Sequence, residues 1–321
     1  QDLAGVAKRA AWDDNGHGRW EEVPVAAGSV RFARATESIV LANPIRAQAA
    51  FNADGLEGTI VGVDQLGTVG DAIIAAPAAP RSDVRIQTEG TFQVVGDEIL
   101  SDREFITETI LSTSQQHRQA VYREVFSPRE NGAYPQRTTV FLWGDMKSLG
   151  LTIPDPFEAS GATLFAIPVD IARTPSGQRF KVPATFVRVS NSAKRAGRSL
   201  VFNPTTGEWL KDVVSESESL FQFAMPRQVV PCRIDDAQIA LKIHAPLRTV
   251  ELTGIRNGMP VVIESWKNPN GVITISISDP DLLQLNDNGA LQFGVKVSLT
   301  DAQIAAAEEL SRAKKRGIVG C

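Results

Sequence analysis

Apolar and polar positions alternate with period two over most of residues 162–299. The runs 238–243, 260–266, 271–278 and 292–298 are rich in β-branched residues and bounded by Gly, Pro, Asn or Asp. This pattern predicts strands with one buried face and one wet face. Residues 199–209 hold two apolar runs joined by Asn203-Pro204-Thr205-Thr206-Gly207, which predicts a hairpin. Upstream, 84–86, 91–95 and 138–143 also read as strands, and 30–32 and 39–41 as shorter ones. The segments 58–63 and 72–75 are small and apolar, and Ala76-Pro77-Ala78-Ala79-Pro80 reads as a linker or extended surface piece.

The period changes in three places. Residues 2–11 fit a short helix broken by the polar run that starts at Asp13. Ser101 and Glu104 form a capping box ahead of an apolar stripe at Phe105, Ile106, Ile110 and Leu111. Ser112-Thr113-Ser114 interrupts that stripe and offers a second N-cap, after which 115–126 continues with Val121, Tyr122, Val125 and Phe126 inward. A helical pair inside a β-chain is expected to cover a sheet edge or end. After Leu299, Thr300 or Asp301 caps a helix whose Ile304, Ala307, Leu310 and Ala313 share a face. The expected fold is mainly β: β-sandwich units with a helical insertion at about 101–126 and a C-terminal helix. Three regions follow: a mixed α+β region at 1–150, a sandwich unit at 151–254, and further strands with the helix at 255–321, packed on the preceding unit.

Composition narrows the classes. The 321 residues are 43% hydrophobic and 22% charged, close to a globular average. A net charge of −4 with both signs interleaved gives no electrostatic reason to expect nucleic acid. Cys232 and Cys321 are too few for a disulfide framework, and whether they pair is open. No window approaches 18 uninterrupted apolar residues, so no spanning helix is expected. Gln1 in place of Met suggests a processed chain. The tail from Lys314 to Cys321 reads as a helix C-terminus with cations in its last turn and Gly317 as the stop; a cut beside a membrane anchor is the other reading.

The strand–turn–strand at 200–209 with its Gly207-Glu208-Trp209 return, the run 219–223 ending at Met225-Pro226, and the alternating run 238–243 carry a resemblance. In that order, residues 162–253 resemble the jelly-roll or galactose-binding-like β-sandwich modules of large exported bacterial proteins. The resemblance implies an extracytoplasmic recognition or structural module. Ligand contacts in such modules come from variable loops, so no binding residue is carried across.

Candidate chemistry is sparse. Asp13-Asp14-Asn15-Gly16-His17-Gly18-Arg19-Trp20-Glu21 approximates the spacing of a bacterial calcium loop. Asp13, Asn15 and Glu21 would be the ligands and Gly18 the turn residue. His17 at the third ligand position is poor for calcium, so a polar turn competes with weak calcium binding, and no other cofactor is expected. His17, His117 and His244 lack a second histidine at metal spacing, which argues against zinc. No Gly-x-Ser-x-Gly elbow is present. The pairs Glu216/Glu218 and Asp279/Asp281 read as edge or turn charges before acid–base pairs. Lys194-Arg195-Ala196-Gly197-Arg198 would suit a phosphate or an acidic sugar, or be a solvated hairpin tip. Trp209 and Trp266 would stack on sugars if they faced outward, and belong to a core if they faced inward.

These readings favour a non-enzymatic, extracytoplasmic structural or interaction protein, a subunit that assembles with copies of itself or other protein chains. A carbohydrate-binding module and a virion or appendage subunit are the alternatives. A glycan-active enzyme would need two facing carboxylates, and none is identifiable. A membrane enters only through an anchor outside the chain.

Overall fold

A computed structural model describes residues 9–12, 18–21, 40–77, 81–87, 89–94, 99–100, 105–106, 110–127, 134–147, 160–191, 202–203, 208–209, 216–300, 302–306 and 309. The chain divides into two compact units, Gln1–Pro44 with Asp145–Thr163, and Ile45–Gly144 with Leu164–Cys321. In the first, β1 (Arg9–Trp12) pairs antiparallel with β2 (Gly18–Glu21), from Arg9 opposite Glu21 to Trp12 opposite Gly18. The helix expected over 2–11 is therefore a strand at its C-terminal end. A ladder to the residues beyond the polar loop overrides the helix propensity of the Ala-rich run.

The second unit begins with β3 (Arg46–Asn52), β4 (Gly55–Val61), β5 (Gly70–Ala75), β6 (Arg81–Ile86), β7 (Thr91–Val94) and the short β8 (Ile99–Leu100). Helix α1 (Thr113–Val125), β9 (Thr139–Asp145) and β10 (Ala162–Ile171) follow. The strand order is β5-β9-β10-β3-β4-β7-β6, and β6 pairs back onto β5. The sheet closes into a seven-stranded barrel with β8 appended to β6, largely within the 1–150 region expected to be mixed α+β, and not into one of the sandwich units of the expected fold. The pairing of β3 with β10 is parallel, whereas β3–β4, β4–β7, β6–β7, β5–β6 and β5–β9 are antiparallel.

Alternation sorts the barrel's side chains. Ala47, Ala49 and Phe51 of β3, Leu56 and Ile60 of β4, Ile74 of β5 and Leu142 of β9 join one buried cluster. Gly58 completes the inward row of β4 because a Cβ there would run into the Gln48 carbonyl oxygen and the Phe92 ring. Leu66, in a 3₁₀ turn at Val63–Leu66, closes one end and is wholly buried. At the other end a second 3₁₀ turn, Ala184–Phe186, sets Phe186 edge-on to Phe51 at 5.4 Å and hydrogen-bonds Thr185 to Ser82. The barrel is thus a packed body with a plug at each mouth.

Strands β5 and β9 are buried on both faces. Their outward Ile73, Ala75, Phe141 and Trp143 pack with Tyr122 and Phe126 in the α1 region. The helix starts where the second N-cap was expected: Ser112 Oγ accepts from the Gln115 N–H at 3.3 Å, and Gln115 Oε1 accepts from the Ser112 N–H at 3.0 Å. Residues 105–106 are not helical, and Ser101 and Glu104 lie outside the described residues, so the expected helical pair reduces to one helix among them. Phe105 is instead held by stacking on Tyr122 at 5.4 Å and Phe126 at 5.5 Å, with the Arg81 guanidinium 4.5 Å over its ring.

Beyond the barrel come β11 (Arg188–Asn191), the hairpin β12 (Phe202–Asn203) with β13 (Glu208–Trp209), and β14 (Ser217–Ala224). Then follow β15 (Ala237–His244), β16 (Thr249–Arg256), β17 (Met259–Lys267), β18 (Asn270–Ile277) and β19 (Ala290–Val297). An antiparallel sheet runs β11-β14-β19-β16-β17, and β15 pairs separately with β18. The β16–β17 pair and the β15–β18 pair are one long ribbon folded on itself. Asn257 and Gly258, both at positive φ (52° and 78°), turn β16 into β17 as a type I′ pair requires. At the crease the Ala245 N–H donates to the Pro269 carbonyl at 2.9 Å and the Asn268 N–H to the Arg248 carbonyl at 2.8 Å. Pro246 and Leu247 have no counterpart across the crease and lengthen one strand's path round the bend. Ile239, Leu241, Ile273 and Ile275 of the folded-back part share a cluster with Leu252, Ile263, Leu291 and Phe293 of the five-stranded sheet.

The C-terminal helix is described over 302–306. Thr300 Oγ1 accepts from the Gln303 N–H at 3.3 Å and Gln303 Oε1 accepts from the Thr300 N–H at 3.1 Å, so Thr300 is its cap.

Candidate functional site

The polar residues of the five-stranded sheet's outer face gather at the ends of β14, β16 and β19. Glu216, Thr249, Glu251, Lys296, Ser298, Leu299 and Ile304 line a cleft of about 170 Å³. That is below the few hundred Å³ usual for a small-molecule site. Lys296 stands opposite both Glu218 and Glu251 in the ladder, with its Nζ 3.8 Å from the Glu251 carboxylate. Ser298 is used locally: its Oγ accepts from the Thr249 N–H at 2.9 Å and donates to the Leu299 carbonyl at 2.7 Å. A lysine between the carboxylates suits a structural charge row better than an acid–base pair.

The second pair of carboxylates closes a turn. Asp279 Oδ1 accepts from the Asp281 N–H at 2.9 Å, and Asp279 also pairs with Arg256. The Asp281 backbone bond, helped by Arg256, holds the Asp279 carboxyl below its usual range. Asp71, on an irregular step of β5 with φ 44°, is the centre of another polar group. Its carboxylate pairs with Arg118 of α1, and its backbone carbonyl accepts from the Tyr122 hydroxyl at 2.7 Å. Burial, then the Asp71 charge, pushes the Tyr122 phenol well above its ordinary value. These bonds latch α1 to the barrel; sequence reasoning found the helix face but had no signal for Asp71.

Of the proposed calcium ligands, Asp13 and Asn15 lie outside the described residues. Glu21 is at the far end of β2 opposite Arg9, three residues or about 10 Å along the strand from Gly18. Among the described residues no group of three or more His, Cys, Asp or Glu is placed to hold a metal ion. Trp266 packs against the cluster inside the folded ribbon, the inward of its two expected placements. Cys232 is half-buried, and burial pushes its thiol up, away from the reactive thiolate.

What the second unit presents outward is a strand. β17 is the outermost strand of its sheet among the described residues. Val261 and Ile263 pack inward, while Met259 is 67% and Val262 56% exposed. Pro260 removes one backbone donor, and the register shifts across from Leu252 and Thr253, so the edge is kinked rather than straight. The outer strand is nine residues long and carries these apolar side chains at the margin of its sheet.

No family model, curated protein or solved structure matches this chain. The reading of its function therefore rests on these surfaces alone.

Proposed function

We propose that the chain is a non-enzymatic structural or interaction subunit of an extracytoplasmic assembly, joined to copies of itself or to other subunits along the β17 edge. The observation that carries this reading is the pair of exposed apolar side chains, Met259 and Val262, on an outermost strand. The five-stranded sheet and the folded-back β15–β18 ribbon act in this reading as the sandwich unit that holds the edge in place. The plugged barrel supplies a rigid base, because its interior is filled by side chains. Strand addition recruits affinity from main-chain bonds, and the alternate outward side chains select the partner.

Sedimentation across a wide concentration range, compared between the wild type and Val262→Lys, tests the proposal. A charged residue at the edge opposes pairing. Concentration-dependent association that is lost in Val262→Lys supports the proposal. A wild type that stays monomeric throughout, or association unchanged in the variant, refutes the β17 contact.

A further inference from the structure

The overall charge of −4 conceals one strongly uneven region. From residue 171 to residue 207 the sequence holds five arginines and two lysines and no Asp or Glu. Residues 219–234 add Arg227 and Arg233, again without an acid. The fold brings the described parts of these segments together. The Thr174 N–H donates to the Gln228 carbonyl at 3.2 Å, and Arg173 Nη2 donates to the Val230 carbonyl at 3.2 Å. Arg188 stands opposite Ala224 at the start of the β11–β14 ladder, three residues from Arg227. Arg173, Arg179, Lys181, Arg188, Arg227 and Arg233 are all exposed. Among the described residues Arg233 pairs with Asp235, and no carboxylate pairs with Arg179, Arg188 or Arg227.

We propose that this arginine-rich surface binds an anionic polysaccharide, a chain bearing carboxylate or sulfate groups along its length. Three features select that partner. The cations are mainly arginine, whose planar fork suits carboxylate and sulfate oxygens. None of the exposed large apolar side chains among the described residues falls within 172–191 or 225–236. Among the described residues the surface therefore lacks the apolar anchors of a protein interface and the aromatic platforms that stack bases or neutral sugars. Finally, Asp54, Asp170, Asp235 and Asp236 adjoin the surface in sequence or through the Lys181 N–H bond to the Asn52 carbonyl. They set exposed like charge for a polyanion beside the patch. A thin flexible polyanion with spaced charges avoids such acids better than a rigid duplex does. This surface is independent of the β17 edge, and either can fail without the other.

Binding of polygalacturonate and of dextran sulfate to the full chain, measured by calorimetry at low and physiological salt, tests the inference. The expected result is binding that weakens as salt rises. The triple variant Arg179→Glu/Arg188→Glu/Arg227→Glu is expected to lose about tenfold or more in affinity with its melting temperature unchanged. Each single variant should lose less, and Arg123→Glu on α1 nothing. Preference for one polymer assigns carboxylate or sulfate as the group read. Three results overturn the inference: no binding of either polymer at low salt, full affinity in the single and triple variants, or duplex DNA of matched charge binding as tightly.

Discussion

Replacing Leu66 with alanine removes the plug from one mouth of the barrel. The side chain is 0% exposed and belongs to the cluster that fills the interior. Its surroundings are stiff: Gly144 passes so close that a Cβ there would strike the Leu66 carbonyl oxygen. A site that cannot collapse sits in the upper part of the range for leucine truncation, about 3–5 kcal/mol. At about 2–4 °C per kcal/mol for a body of this size, the transition should fall by about 6–20 °C. Urea unfolding followed by circular dichroism should show a lower midpoint with an unchanged slope, since the surface exposed on unfolding barely alters. Leu66→Met, which keeps the volume, should cost less than about 1.5 kcal/mol. A loss below about 1 kcal/mol for Leu66→Ala would show that the barrel mouth is open to water, and the account of a filled barrel would fail.

Gly58→Ala should destabilise by about 2 kcal/mol or more, because the new methyl meets both a backbone oxygen and the Phe92 ring; a melting temperature like the wild type's would refute that packing. Arg118→Met should leave Asp71 without its cation at a cost of about 1–3 kcal/mol, and hydrogen exchange should quicken in α1 before the barrel strands; uniform quickening would deny the latch. The raised Tyr122 phenol gives a signed pH effect. Its folded-state value lies above the unfolded one of about 10, so its contribution is complete below about pH 10 and is lost as pH climbs further. Tyr122→Phe should therefore show a shallower alkaline loss of stability than the wild type, and equal slopes would count against the buried phenol. Calcium titration decides the loop at Asp13, Asn15 and Glu21: a cation bound to the folded chain raises its melting temperature, and no shift at millimolar calcium removes the site.

The strands of residues 238–298 were legible because each alternates cleanly and ends in turn residues, and the caps at Ser112 and Thr300 follow from side-chain chemistry a few residues long. Barrel closure was not legible. It depends on β6 returning to β5 and on β10 lying parallel to β3, and a strand's alternation is the same in a barrel as in a sandwich. The Ala-rich approach to Trp12 looked helical because propensity is local, whereas its ladder partner lies past a polar loop. Phe105 kept its apolar signal but not its period: stacking between α1 and Arg81 holds it without a helix. For the candidate surfaces, Trp266 could be placed only once its strand's face was known. The basic surface was not legible, because its described members are spread along two segments that meet through backbone bonds; the 194–198 cluster lies outside the described residues.

The crease at Ala245 and Pro269 ties two alignments together. Sliding β16 past β17 by one position would drag β15 past β18 by the same step, since each pair is one continuous thread on either side of the bend. Both faces would invert at once, exposing Leu252 and Ile275 in a single error. A misthreaded ribbon of this design has no cheap near-miss, so the outward row on β17 is presented in one frame only.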